Sequence, residues 1–110
     1  MTEHAPLSEP LFHILLSLVD GPRHGYGIIQ EVESRTGGDM RLGAGTLYSA
    51  IKRIRALGWV QEVRSPAGED PRRRYYGLTG VGRRAVRAEA RRLEALVKHA
   101  RTKRLLTGRA

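Results

Sequence analysis

Residues 43–59 read GAGTLYSAIKRIRALGW and contain the clearest helical pattern of the chain. Its apolar residues recur at the i, i+3, i+4, i+7 spacing of one helical face, which predicts a helix that packs one side on a core. That stripe consists of Leu47, Ala50, Ile51, Ile54 and Leu57. We expect Gly45 or Thr46 to cap the start of this helix and Gly58 to supply its C-terminal turn.

The opposite side of this helix is polar and small. Successive residues turn by about 100° around a helix axis, so Ser49, Lys52 and Arg53 face away from the apolar stripe, and Tyr48 and Arg55 lie on one flank. A helix of this kind packs one side on a core and offers cations and small residues on the other.

Two further helices are predicted before this stretch. Residues 8–20 have Ser8 as a candidate N-cap and apolar residues on two sides, which in a small domain indicates that a partner subunit covers one of them. The first side holds Leu11, Ile14, Leu15 and Leu18, and the second holds Phe12, Leu16 and Val19. Residues 24–36 predict another helix, whose early glycines suit the close approach of another backbone, and Gly37–Gly38 ends it.

A hairpin is predicted after residue 58. Residues 59–64 and 72–79 have strand composition, and residues 65–71 between them contain two prolines and a glycine, as turns do. Alternation would place Tyr76 and Leu78 on the inner face, and Arg73, Tyr75 and Gly77 on the outer face.

The last predicted element is a helix from about residue 80 to residue 106, with Thr79 as its N-cap. Its apolar residues step by four and three, which is the spacing of a helix that packs on another helix. They are Val86, Ala90, Leu93, Val97 and Ala100. The alternative is that this helix packs only on its own domain.

Charge is distributed unevenly along the chain. Residues 1–70 hold seven Lys/Arg and nine Asp/Glu, whereas residues 71–110 hold thirteen Lys/Arg and two Asp/Glu, and the total is +9. A concentrated positive field attracts polyanions, which are nucleic acid first and an anionic membrane surface second. The alternative is a solvated basic face without a partner.

Three short helices, a hairpin and a final helix make a mainly α fold with a small β-hairpin: a winged helix-turn-helix plus a C-terminal dimerisation helix. The predicted DNA-binding domain covers residues 8–79, and the dimerisation helix, residues 80–107, packs on it. In such folds the second helix of the pair enters the major groove. We therefore expect the polar side of residues 43–59 to contact DNA, together with cations at the hairpin, or wing, at Arg72, Arg73 and Arg74.

Three segments together resemble the PadR family of bacterial transcriptional regulators. They are HGYGIIQEVESRTGG (24–38), GTLYSAIKRIRALGWV (45–60) and RRRYYGLTGVGRRAV (72–86), and the likeness extends over about residues 10–87. The resemblance implies a homodimer, built by its first and last helices, that binds an inverted repeat and usually represses transcription.

The resemblance also implies site residues. DNA contacts carried over by motif are Tyr26, Thr46, Tyr48 and Lys52, with Arg73, Arg74 and Tyr75 from the wing. Our own analysis adds Ser49, Arg53 and Arg72. For the dimer we expect Leu11, Leu15 and Leu18 of the first helix, and Val86, Ala90, Leu93, Val97 and Ala100 of the last.

This sequence departs from the family pattern at several positions, and some of the assigned residues could have another role. Ser49 stands where the family often has proline, and Ile54-Arg55 where it often has Leu-Glu. No aromatic residue follows Tyr76, so stacking of a flat small-molecule effector is in doubt and the effector is unknown. Tyr48 could instead pack on the wing, Tyr26 in the core, and the exposed cations could be only solvated.

Several function classes are disfavoured. There is no cysteine, the histidines at 4, 13, 24 and 99 lack metal-ligand spacing, and no nucleophile elbow or phosphate loop occurs. We therefore expect no enzyme, cofactor or metal. No apolar run is long enough to span a membrane and the first ten residues lack signal-peptide features, so we expect a cytoplasmic protein. The functional alternative is a winged helix that binds DNA or RNA without sequence preference.

Overall fold

The structure is a computed structural model that describes residues 6–106. Over that range it has four helices and one antiparallel sheet of three strands. In chain order these are α1 (Glu9–Leu16), β1 (Arg23–His24), α2 (Gly25–Arg35), α3 (Ala44–Ala56), β2 (Val60–Val63), β3 (Tyr75–Leu78) and α4 (Gly80–Thr102). The element order confirms the predicted winged helix-turn-helix.

The core forms where α1, α2 and α3 meet the sheet and the first turns of α4. The largest side chains that are fully buried there include Ile14, Leu15, Ile28, Leu47 and Ile54. These residues are the apolar stripes of the three helices, so burial of their side chains away from water holds the helices together. In particular, the stripe Leu47, Ile51, Ile54 fixes the rotation of α3 about its axis.

Helix boundaries differ from the predicted ones. Helix α3 begins one residue after its N-cap Gly43, which makes no side-chain capping bond, so the assignment of Gly45 or Thr46 as cap was wrong and both lie in the first turn. Helix α1 ends at Leu16 and turns follow it. Helix α4 ends at Thr102, not residue 106, and the left-handed residue Arg104 (φ 63°) reverses the chain just beyond it. Position 107 of the predicted last helix lies outside the described residues.

The two N-caps predicted for α1 and α4 are confirmed. The hydroxyl of Ser8 accepts a hydrogen bond from the Leu11 N–H at 3.3 Å, and that of Thr79 accepts from the Gly82 N–H at 3.0 Å. Gly82 lies directly against the backbone of Trp59, since an added Cβ would meet the Trp59 carbonyl oxygen at 1.9 Å. The start of α4 is thus fastened to the segment that follows α3.

The sheet has one strand more than predicted. Strands β2 and β3 form the expected hairpin, with Val60 opposite Leu78, but β1 pairs with the other edge of β3 and gives the order β1-β3-β2. With two residues and no apolar alternation, β1 gives no detectable sequence signal.

Strand β3 is paired at both edges, and both of its faces are also covered. Tyr75, Tyr76 and Gly77 are all buried, so the predicted outward orientation of Tyr75 and Gly77 was wrong. The Tyr75 ring packs edge-on against the His24 imidazole, with the ring centres 5.4 Å apart, and its hydroxyl donates to Glu69 Oε1 at 3.4 Å. Tyr75 therefore has no free surface for a DNA contact from the wing.

Four of the predicted dimer residues are core residues of the protomer. Leu11, Leu15, Leu18 and Val86 are at most 7% exposed, because α1 packs the first of its two apolar sides on α2 and α4. Assigning them to a subunit interface was therefore wrong. The exposed or half-exposed apolar side chains nearby are Phe12 and Leu16 of α1, Val19 of the turn that follows it, and Ala90, Leu93, Leu96, Val97 and Ala100 of α4.

One buried ion pair was not predicted. Glu89 on α4 is 1% exposed, and Arg92 donates to its two carboxylate oxygens at 3.0 and 2.6 Å. A buried carboxylate needs such a partner because leaving water without one is costly. The hydrogen bonds to Glu89 raise the pKa of Arg92.

No helix within residues 6–106 combines the length and the apolarity that crossing a membrane requires.

Candidate nucleic-acid interface

The outward side of α3 is an exposed polar surface. Thr46, Ser49, Lys52 and Arg53 are all exposed, and they lie opposite the buried stripe that fixes the rotation of α3. Within residues 6–106, the side chains of Lys52 and Arg53 form no ion pair or hydrogen bond, so both charges are available to an external anion.

Two tyrosines extend this surface toward the start of α2. The Tyr26 side chain is 58% exposed and the Tyr48 side chain is 49% exposed. The Tyr48 hydroxyl lies over Gly25, where an added Cβ would come within 2.2 Å of it. The absence of a side chain at Gly25 therefore makes room for the Tyr48 side chain. The sequence had suggested that it makes room for another backbone.

The wing residues Arg72, Arg73 and Arg74 are exposed but differ in their partners. Arg72 is paired internally: its backbone N–H and Nε reach Asp70 Oδ1 at 2.9 and 3.1 Å, and its Nη2 reaches Oδ2 at 3.2 Å. These bonds from Arg72 lower the pKa of Asp70. Arg74 has no such partner in the described part of the chain, so its charge is free.

Arg73 rests on His24, which connects the wing to α2. Arg73 Nη1 lies 3.1 Å from His24 Nδ1 and 2.9 Å from Nε2, while Nδ1 also accepts the Gly27 N–H at 3.0 Å as the N-cap of α2. Burial and, next, the charge of Arg73 lower the pKa of His24, so the neutral ring that can serve as a cap is favoured.

Five of the predicted DNA contacts meet on one surface: Tyr26, Tyr48, Lys52, Arg73 and Arg74. One shallow depression is lined by His24, Tyr26, Tyr48, Arg73, Arg74 and Tyr76, and an adjoining one by Tyr48, Ile51, Lys52, Arg55, Ala56 and Tyr76. The structure thus brings the start of α2, the outer side of α3 and the base of the wing together. Of the other predicted DNA contacts, Tyr75 lies beneath this surface, and four are exposed outside the two depressions: Thr46, Ser49, Arg53 and Arg72.

Sequence reasoning missed two residues that organise the site. His24 was considered only as a metal ligand, although histidine with a free ring nitrogen before a helix can cap it as asparagine does. Asp70 lies two residues before Arg72 in a turn. An aspartate side chain in a turn commonly hydrogen-bonds the backbone two residues further along the chain, and this two-residue spacing could have predicted the contact. No group of three metal-binding side chains occurs in the portion that the structure describes.

Solved structures share this fold. A transcriptional regulator from Clostridium thermocellum is 27% identical, with 84% of this chain and 89% of that chain aligned and a TM-score of 0.69. A PadR family regulator from Clostridium difficile is 23% identical over 86% and 97% of the two chains, with a TM-score of 0.72. Bacillus subtilis PadR, solved in complex with operator DNA, is 20% identical over 74% and 46%, with a TM-score of 0.62.

Two curated relatives are named only as uncharacterized proteins. A 37.1 kDa protein in transposon TN4556 of Streptomyces fradiae is 39% identical over 83 residues, and "protein X" of Lysinibacillus sphaericus is 27% identical over 70 residues. The alignments cover 76% and 64% of this chain but only 22% and 64% of those proteins.

The sequence profile of the transcriptional regulator PadR-like family matches residues 14–88, which run from the middle of α1 into the first half of α4 and include every residue of the candidate interface. The chain therefore belongs to the PadR-like family of transcriptional regulators, whose DNA-binding winged helix-turn-helix it shares.

Proposed function

We propose that the protein is a repressor that binds an inverted-repeat operator as a homodimer in the cytoplasm. The observation that carries the proposal is the set of exposed cations on α3 and the neighbouring wing, where the side chains of Lys52, Arg53 and Arg74 have no partner within residues 6–106. Unpaired cations on a helix of fixed rotation suit phosphates and base edges in a major groove. The complex of Bacillus subtilis PadR with operator DNA supports the same use of this fold.

Within this surface we assign base readout to α3. Ser49 lies near the start of the helix, where recognition helices usually meet bases, and its hydroxyl can donate or accept. Arg53, one turn further, can make a bidentate contact to guanine, whereas the single ammonium of Lys52 suits a phosphate.

The residues around α3 are assigned to the DNA backbone. Tyr26, Thr46 and Tyr48 carry exposed hydroxyls beside the start of α2 and α3. Arg73 and Arg74 supply cations from the wing, while Arg72 contributes less because Asp70 already balances its charge.

The dimer is assigned to the apolar surface that α1 and α4 leave uncovered. Leu96 and Val97 are 52% and 43% exposed, and Leu93 lines a groove with Phe12 and Leu16. A two-fold dimer presents two copies of α3 with opposite polarity, which matches an inverted repeat.

Selection of binding sites from random duplex DNA tests the readout. We expect the enriched sequences to contain an inverted repeat whose half-sites lie about one helical turn apart, at roughly 10 base pairs from centre to centre. Enrichment of no common sequence would support the second candidate, a winged helix that binds nucleic acid without sequence preference, which the excess of exposed arginine favours.

Sedimentation analysis tests the dimer. Val97→Glu places a charge on the exposed apolar surface without touching the core, and Leu93→Glu places one in the groove, where burial without a partner costs a few kcal/mol. We expect both variants to sediment as monomers and the control Ser34→Glu, on exposed α2 surface, to remain a dimer. A monomeric wild type, or a dimer unchanged in both variants, would contradict the assignment.

A further inference from the structure

The outer side of α4 carries a second row of cations. Arg84, Arg87, Arg91 and Lys98 follow one another at spacings of three, four and seven residues, and all four are exposed. By helical geometry they lie within about 60° of one another and opposite Gly82, Val86 and Glu89, the side by which α4 packs on the domain. The row is about 21 Å long, at about 1.5 Å per residue.

The positive charge of this row is not neutralised by ion pairs within the described protein. None of the four cations forms an ion pair or hydrogen bond with any of residues 6–106, and the same holds for Glu94, the acidic residue on that side. Like charges three and four residues apart destabilise a helix, and Arg84 lies in the first turns, where the helix dipole disfavours cations. The charge is thus maintained against a cost to the stability of α4.

The row is separate from the α3 surface. Val86 of α4 and Leu47, Ile51 and Ile54 of α3 belong to the same core, and each helix turns its cations away from that core. Helix α4 packs on α1 and β3, whereas α3 packs on α2 and β2. The two sets of cations therefore project from different sides of the domain.

The chemistry of the row selects its partner. A second copy of the chain would oppose the cations with the same cations across a two-fold axis, which is repulsive. A membrane-surface helix inserts a stripe of bulky apolar residues beside its cations. Here the cations are flanked by the small residues Ala88 and Ala95, and Val97, which lines a depression with Arg91 and Lys98, belongs to the surface that we assign to the dimer. A straight row of cations fits the regular phosphate row of a stiff duplex.

We propose that the outer side of α4, at Arg84, Arg87, Arg91 and Lys98, is a second DNA-binding surface that contacts phosphates of a second duplex segment while α3 holds the operator. It binds without sequence preference, so one protein can join two DNA segments. The inference rests on the proposed function only for the identity of the first duplex.

A bridging assay tests it. Operator DNA is fixed to beads, loaded with the wild-type protein, washed, and offered a labelled duplex of unrelated sequence at about 0.15 M salt. We expect retention of the labelled duplex by the wild type and its loss in R84Q/R87Q/R91Q, which keeps good helix formers and wild-type operator affinity. Three lost phosphate contacts should weaken binding of the second duplex on the order of a hundredfold and reduce its salt slope by about 2.7.

The matched control is R41Q/K103Q/R104Q, which removes the same charge from exposed positions outside the row. Equal loss in the control, or undiminished retention by the row variant, would overturn the proposal. So would loss of binding to anionic lipid vesicles by the row variant with DNA binding intact. If no operator exists, direct titration of unrelated duplex with the same three proteins still tests the row, so the two proposals fail separately.

Discussion

Gly25→Ala should weaken operator binding through Tyr48 while leaving the fold intact. The added Cβ would lie 2.2 Å from the Tyr48 hydroxyl oxygen, and ordinary contact begins at 3.4 Å, so the hydroxyl must retreat by at least 1.2 Å. Leu47 Cδ2, at 3.2 Å, needs to yield only a few tenths of an ångström. Tyr48 can move because it is half-exposed.

The size of the effect follows from what the hydroxyl loses. A displacement of 1.2 Å exceeds the whole range of normal hydrogen-bond lengths, so a bond to a phosphate would be broken. Hydrogen bonds to charged groups are worth about 1.5–3 kcal/mol, which corresponds to a loss of operator affinity of roughly ten- to hundredfold.

Operator affinity is measured by fluorescence anisotropy for the wild type, Gly25→Ala, Tyr48→Phe and the double variant. Thermal melting is the control for folding. We expect each single variant to lose affinity by a similar factor and the double variant to lose no more than one of them, since both remove the same contact. Melting temperatures should change little. Wild-type affinity in Gly25→Ala, or losses that add in the double variant, would refute the reasoning.

Three further predictions concern individual side chains. Arg53→Ala should relax the preference at one base pair per half-site by about 1–3 kcal/mol, whereas Lys52→Ala should weaken all sequences alike, which site selection with each variant will show. Arg73→Ala should weaken binding to specific and scrambled DNA equally and should reduce the slope of log K against log salt by roughly 0.9. Arg72→Ala should reduce that slope less, because Arg72 is already paired with Asp70. A changed base preference with an unchanged slope would show that the wing contacts bases. The folded protein lowers the pKa of His24, so as the pH falls the unfolded chain binds a proton at this imidazole before the folded chain does. The contribution of neutral His24 to the free energy of unfolding should therefore be fully present above about pH 6.5 and be lost as the pH drops through the lowered folded pKa. Thermal melts of His24→Asn, which keeps a capping side chain, should lack this part of the pH dependence.

The parts of the fold with repeated local signals could be predicted from the sequence. The stripe of α3 continues over three turns, and the caps Ser8 and Thr79 each precede a segment whose apolar residues recur at helical spacing. Strand β1 could not be predicted because two residues carry no period, and its pairing with β3 is what buries Tyr75. Alternation along β3 failed for the same reason, since it assumes one solvent-facing side.

The dimer residues show a second limit of sequence reasoning. Helix α1 has two apolar sides, and periodicity does not tell which of them faces the protomer's own core. The side with Leu11 and Leu15, continued by Leu18 in the following turn, packs inward, and Phe12 and Leu16 stay half-exposed. Contacts distant in sequence, such as Arg73 on His24, likewise depend on the folded arrangement of the wing and α2.

The central claim is sequence-specific recognition by α3, and an equilibrium titration tests it most directly. Wild-type protein is titrated at about 0.15 M salt against the DNA upstream of its own gene and against the same bases in scrambled order. The account predicts at least a thousandfold tighter binding to the natural sequence, the lower end of the range for specific regulators. Equal affinity for the two duplexes would contradict it.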